Sequence, residues 1–210
     1  MSTPGRKPII TERRFRGMVM PTASHPAIRK VRRQGQHPSI HGNKLWKSSC
    51  LLLDYLGKQT PAHHARILDA GCGWGIAGIW CAAKLGAEVT SMDADPEVFP
   101  YLDAVAKLNG VQTRHLVKRF EQLTTRELAN YDMLIAADVC FWDELVKPVS
   151  NLVNRAVRAG VKHIIIADPE RSTFLEMAQG CVERHYAEVI PWQCRGSIEA
   201  KGALMVIENA

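Results

Sequence analysis

No apolar run in the sequence approaches the roughly 18 residues that a bilayer-spanning helix requires, which excludes a membrane-crossing helix. No two cysteines form a CxxC pair, and no His/Cys group has the spacing of a zinc site, so neither a structural metal nor a disulfide framework is expected. The six cysteines, Cys50, Cys72, Cys81, Cys140, Cys181 and Cys194, lie mostly in apolar stretches where Cys acts as a small hydrophobe, consistent with a reducing, cytoplasmic compartment. There is no low-complexity segment and no repeat at a fixed period, which removes solenoid and fibrous classes. The first twenty residues are basic but lack the apolar stretch of a secretory signal. Pro4 and Pro8 oppose the amphipathic helix of an organellar transit peptide.

Acidic residues are nearly missing from the first 44 positions, where Glu12 stands against ten Lys/Arg. The other 166 residues hold 20 acidic and 17 basic side chains, so the formal charge of +6 belongs to the N-terminal segment. With five prolines and no sustained period, this segment reads as an irregular basic arm, residues 1–43, ahead of a catalytic-size domain, residues 44–210. Such an arm is either a clamp for an acidic partner, RNA or DNA, or a soluble and partly disordered tail. Aromatics for base stacking are scarce there, since Phe15 stands alone.

From Leu45 onward the pattern changes. An amphipathic helix through Leu45, Trp46, Cys50 and Leu51–Leu56 is followed by short apolar strands alternating with helices. Strands are expected at 66–70, 87–92, 112–117, 131–137 and 163–167, with two terminal strands around 188–191 and 204–208. Helices are expected near 76–85, 96–108, 145–159 and 172–186. This order predicts an α/β fold: a Rossmann-like, seven-strand, mostly parallel sheet with helices on both faces. Ligands of such sheets bind beyond the carboxyl ends of the strands.

The sharpest motif is Ile67-Leu68-Asp69-Ala70-Gly71-Cys72-Gly73-Trp74-Gly75. A strand runs into three glycines and a helix opens at once, so backbone N–H groups face a ligand that can approach closely. The spacing is GxGxG, with Ile76 where a dinucleotide fingerprint carries its third glycine, which argues against an oxidoreductase. Asp69 ahead of the loop would repel a pyrophosphate and pair with an ammonium. A ligand carrying both an amino group and a carboxylate fits, as the methionine end of S-adenosylmethionine does. Asp93, ending the second strand, is placed to accept hydrogen bonds from ribose hydroxyls.

On these residues the stretch from Leu45 to about Leu175 resembles the class I S-adenosylmethionine-dependent methyltransferases. It is most similar to family 16, the protein-lysine and nicotinamide N-methyltransferase-like proteins. The matches are Leu45-Trp46, Asp93-Ala94-Asp95-Pro96 with Leu108-Asn109-Gly110, and Ala137-Asp138-Val139-Cys140-Phe141. The resemblance implies that Trp46, Asp69, Gly71, Gly73, Gly75, Asp93 and Ala137 bind S-adenosylmethionine and that Asp138 faces the acceptor as the catalytic residue. Phe141 departs from the family's tyrosine and removes a hydroxyl that positions an amine.

Methyl transfer from a sulfonium is an in-line displacement with a good leaving group, so positioning and an uncharged nucleophile are what the protein must supply. The reading is transfer to a nitrogen, with a protein lysine as acceptor and Asp138 holding the amine. A small-molecule N- or O-acceptor and a non-catalytic cofactor-binding scaffold are the alternatives. An Asn/Asp-Pro-Pro-Tyr motif is missing after strand four, which disfavours methylation of a base. Phe120-Glu121 is a candidate adenine contact, Trp142 a wall of the acceptor pocket, and Asp168-Pro169-Glu170-Arg171 either shapes its mouth or starts a helix. His25, His63 and His64 read as solvated. His37 and His41 also do, though their segment is able to fold over the site.

Overall fold

The computed structural model describes residues 10–35, 38, 45–59 and 64–209. Two short strands, β1 (Glu12–Phe15) and β2 (Met18–Pro21), form an antiparallel hairpin, and α1 (Pro26–Arg33) follows. Then come α2 (Ser48–Leu56), β3 (Arg66–Ala70), α3 (Ile76–Leu85), β4 (Glu88–Asp93), α4 (Phe99–Leu108) and β5 (Arg114–Val117). The chain continues through α5 (Thr125–Leu128), β6 (Met133–Ala137), α6 (Asp143–Arg158), β7 (His163–Asp168) and α7 (Ser172–His185). It ends with β8 (Glu188–Cys194) and β9 (Ala200–Glu208).

The seven-stranded sheet runs β5-β4-β3-β6-β7-β9-β8. Every neighbouring pair is parallel except those made by β9, which is antiparallel to both β7 and β8. Consecutive apolar residues in the central strands serve opposite faces, as a period of two requires. Ile67, Ile135 and Ile165 join one core with α2, α3 and α4, while Leu68, Leu134 and Ile164 join the other with α6 and α7. Strand order reverses between β3 and β6, so their carboxyl ends diverge and open a crevice there.

The expectation of an irregular arm is corrected. Phe15, Met18, Met20, Ile28 and Val31 are buried in the first core. Asn109 at the end of α4 pairs with Val19 through two bonds, accepting from its N–H at 2.8 Å and donating to its carbonyl at 2.9 Å. Trp80 Nε1 donates to the Arg16 carbonyl at 3.1 Å. Asp54, buried on α2, accepts from Arg16 Nε (2.9 Å), Lys58 Nζ (2.9 Å) and Trp192 Nε1 (3.1 Å). The groups that hold the hairpin thus lie far from it in sequence. Locally the signal is weak, because β1 and α1 carry only a narrow apolar stripe among many charges, and the apolar β2 is only four residues long. The boundary drawn at residue 43 lies outside the described residues.

Candidate active site

Gly71, Gly73 and Gly75 all take left-handed φ values, +70, +51 and +71°. The Gly71 and Cys72 N–H groups both donate to the Met92 carbonyl, at 2.8 and 3.0 Å, which ties the loop to the end of β4. At Gly73 nothing lies within 4 Å of where a Cβ would stand, and the residue faces the crevice. At Gly75 a Cβ would run into Leu102 at 2.6 Å. Gly75 therefore admits close packing of α3 on α4 and is not among the cavity-lining residues.

The crevice is a cavity of about 490 Å³. Of the residues named from sequence, Trp46, Asp69, Gly71, Gly73, Asp93, Ala137 and Asp138 line it. Two of these lining carboxylates stand on neighbouring strands, Asp69 on β3 and Asp93 at the end of β4. Asp69 is buried and accepts one bond, from Gly78 N–H at 3.0 Å, and no cation pairs with it among the described residues. Burial, helped by the field of Asp93, pushes its pKa up to about 7. Asp93 accepts from Gly73 N–H and Asp95 N–H, both at 3.0 Å, and burial also raises its pKa. Each of its oxygens keeps a lone pair for a further donor. Beyond β5, Lys118, Arg119, Phe120 and Glu121 form one wall.

At the other wall β6 ends in Asp138, whose φ of +60° is left-handed and uncommon for a residue with a side chain. Its N–H bonds the Ala167 carbonyl at 2.9 Å, and its carboxylate is held by Arg171 Nη1 at 2.7 Å. The same guanidinium holds Asp168 at 2.7 Å and lies 6.0 Å from the Trp46 ring centroid. Arg171 thus joins the ends of β6 and β7 to the segment leading into α2. In sequence it is one member of a four-residue stretch. Only the parallel neighbours β6 and β7 bring the two aspartates together. Phe141 and Trp142 meet edge to face at 4.8 Å, and Trp142 is 47% exposed.

Among the described residues no histidine lines the cavity. His25 caps α1, its Nδ1 accepting from Ala27 N–H at 3.2 Å, and His37, His41 and His63 lie outside the described residues. Cys140, beside Asp138, is buried and its thiol is pushed up to about 12, so it offers no thiolate.

Residues 67–160 match the family model described as "Methyltransferase domain". A ubiquinone biosynthesis O-methyltransferase of Xylella fastidiosa (strain 9a5c) is 31% identical over 87 residues, 41% of this chain and 35% of that protein. One from Xanthomonas oryzae pv. oryzae (strain PXO99A) is 34% identical over 91 residues, 41% of this chain and 36% of its own. The chain thus spans about a third of the length of the curated relatives it matches. Among solved structures, the ribosomal protein L11 methylase of Lactobacillus delbrueckii subsp. bulgaricus is similar with a TM-score of 0.56, at 17% identity over 78% of both chains. TrmN from Thermus thermophilus reaches 0.56 at 16% identity, over 77% of this chain and 49% of that one. The likeness to these structures is one of fold. Residues 67–160 are thus similar to a methyltransferase domain, and the chain as a whole shares the fold of these solved methyltransferase structures. The finer resemblance to family 16 rests on the local motifs alone, and the curated relatives named here are O-methyltransferases.

The site's chemistry fits S-adenosylmethionine, the ligand expected from the glycine loop. A buried carboxylate without a cation suits its ammonium, the N–H groups at the start of α3 suit its carboxylate, and Asp93 suits its ribose. Asp93→Ala is expected to weaken S-adenosylmethionine binding by roughly 1.5–3 kcal/mol, the scale of hydrogen bonds to a charged group. Calorimetric titration checks this, and an unchanged affinity would remove Asp93 from the ribose assignment.

Proposed function

We propose that the protein transfers the methyl group of S-adenosylmethionine to a nitrogen acceptor, with a protein lysine side chain as the reading the geometry supports best. The observation that carries it is the acceptor-side wall: the Asp138 carboxylate, buried and fixed by Arg171, with Trp46, Phe141 and Trp142 around the opening. Two carboxylates against one guanidinium leave a net negative charge behind that wall, which attracts an amine. The aromatic faces favour the alkyl and cationic parts of such a side chain. A half-exposed Trp142 leaves the rim open to an acceptor presented on a larger molecule.

In this reading Asp69, Asp93, Gly71, Gly73, Ala137 and Trp46 bind the donor, and Gly75 supports the loop from behind. Arg171 engages Asp138 Oδ1, so the second carboxylate oxygen holds the amine. Once the amine has lost its proton to Asp138 or to water, its lone pair forms the new N–C bond. The C–S bond breaks, and the sulfur keeps the electron pair. A second reading, a hydroxyl of a small molecule, is favoured by the names of the relatives. The segment matched by the family model stops short of Arg171 and leaves out Trp46. All six cysteines are free and five are buried, which supports a reducing, cytoplasmic setting.

The test is methyl-labelled S-adenosylmethionine given to lysate proteins and metabolites, with wild type and Asp138→Ala compared. Label in base-stable methyl-lysine, with the variant at least about 100-fold slower and donor affinity kept, is the expected result. Label on an extractable hydroxyl compound would establish the second reading. A variant within a few-fold of wild type would remove Asp138 from the acceptor site.

A further inference from the structure

Six cations on the hairpin and α1, namely Arg13, Arg14, Arg29, Lys30, Arg32 and Arg33, are exposed. None enters an ion pair among the described residues. The one acid of the segment, Glu12, faces His25 at 3.6 Å. On α1 the buried stripe is Ile28 and Val31, and at about 100° per residue the four cations of the helix fan over roughly 160° of the opposite arc. The helix is about 12 Å long, so this is a dense ridge of charge. It does not belong to a loose tail: the Asn109 pair, Trp80 and the buried Ile28 hold it against α3 and α4.

We infer that this ridge docks the phosphate backbone of a nucleic-acid duplex. Three observations choose this occupant. The exposed face of α1 is made of Arg29, Lys30, Arg32 and Arg33 and carries no aromatic or large apolar side chain, whereas a protein–protein interface builds its centre from such residues. A membrane surface is disfavoured for the same reason, since an interfacial helix must insert apolar side chains. Five of the six cations are arginines, whose planar forks match phosphate oxygens. The rest of the chain, with more acids than bases, repels a polyanion and leaves the ridge as its landing place. Contacts from these side chains to phosphate oxygens fix the position of the duplex and carry no sequence information. Docking of a duplex here is independent of which acceptor receives the methyl group.

The experiment is anisotropy of a fluorescent RNA duplex of roughly 20 base pairs, and of the DNA duplex of the same sequence, with the full-length protein across a salt series. Wild type is expected to bind both within about threefold, in the micromolar range at low salt, with affinity falling linearly in log salt. Arg29→Ala/Arg32→Ala/Arg33→Ala removes three exposed side chains, so its melting temperature should stay within about 2 °C of wild type. The slope of log affinity against log salt should become shallower by about 2.7, roughly 0.9 for each phosphate that is no longer neutralised. An unchanged slope in the triple variant would overturn the assignment, as would no binding by wild type at low salt. Displacement of the duplex by polyglutamate at equal charge would overturn it in favour of an acidic protein.

Discussion

Gly202→Ala is expected to lower the melting temperature by about 10 °C. Gly202 lies on β9 opposite Trp192, and the next residue, Ala203, faces Asp168 on β7. A Cβ at Gly202 would overlap the Asp168 carbonyl oxygen and stand 2.8 Å from Leu51 Cδ1 and 2.9 Å from Pro169 Cα. Leu51 can turn aside, but the backbone of Asp168 and Pro169 moves only if β7 and β9 shift apart. Overpacking against side chains costs typically 1–3 kcal/mol, and backbone neighbours place this case at about 3 kcal/mol or more. For a chain of this size each kcal/mol is worth about 2–4 °C. Gly160→Ala is the comparison, a left-handed glycine at φ +78° with nothing within 4 Å, where only backbone strain of about 1 kcal/mol is added. A thermal melt in which the two variants lose the same amount would refute the steric account. The strain falls on the end of β7, which holds Arg171 through Asp168, so loss of stability and loss of the Asp138 anchor should travel together.

How far such features are legible in the sequence depends on how local their causes are. The loop from Asp69 to Gly75 is written in adjacent residues, and its strand, its left-handed glycines and its helix stand where the spacing places them. The strand order follows from connection rules once alternation is recognised. The hairpin and α1 escaped because their partners, Asn109, Trp80 and Asp54, come from three other helices. Leu45 and Trp46, expected within the helix, instead form the lead-in to α2, which begins at Ser48, and line the cavity. Gly75 carries the same motif signature as Gly71 and Gly73, yet the side chain of Leu102 decides that it packs and does not line the cavity. The Arg171 fork is invisible in one dimension, because Asp138 and Asp168 become neighbours only through the pairing of β6 with β7. Gly202 gives no signal at all: its constraint is the carbonyl of another strand.

Asp69→Asn should stabilise the protein without its donor and weaken the donor's binding, both in a pH-dependent way. Asp69 is 2% exposed, with the Gly78 N–H as its hydrogen-bond donor, and burial raises its pKa to about 7. A carboxyl whose folded pKa exceeds its unfolded value of about 3.9 binds its proton more tightly in the fold. Its contribution to stability is therefore fully present below about pH 4 and is lost as pH rises through about 7. Asparagine keeps an acceptor for Gly78 and carries no charge, so the variant is spared that loss. Melting curves of the donor-free proteins should show the gap in favour of Asp69→Asn widening from pH 5 to pH 8, to something on the order of 2 kcal/mol. With S-adenosylmethionine at saturation the order should reverse, because an ammonium beside Asp69 turns an unfavourable buried charge into an ion pair. The wild-type affinity should also fall on acidification below about pH 7, as the carboxyl must first release its proton, while the variant's affinity stays weak and flat. A melting gap independent of pH would mean that Asp69 is ionised at no cost in the donor-free fold, and a variant that binds the donor normally would mean that the ammonium lies elsewhere. The two measurements separate the buried charge from its use. Together they ask whether this site holds an electrostatic penalty that only its ligand removes.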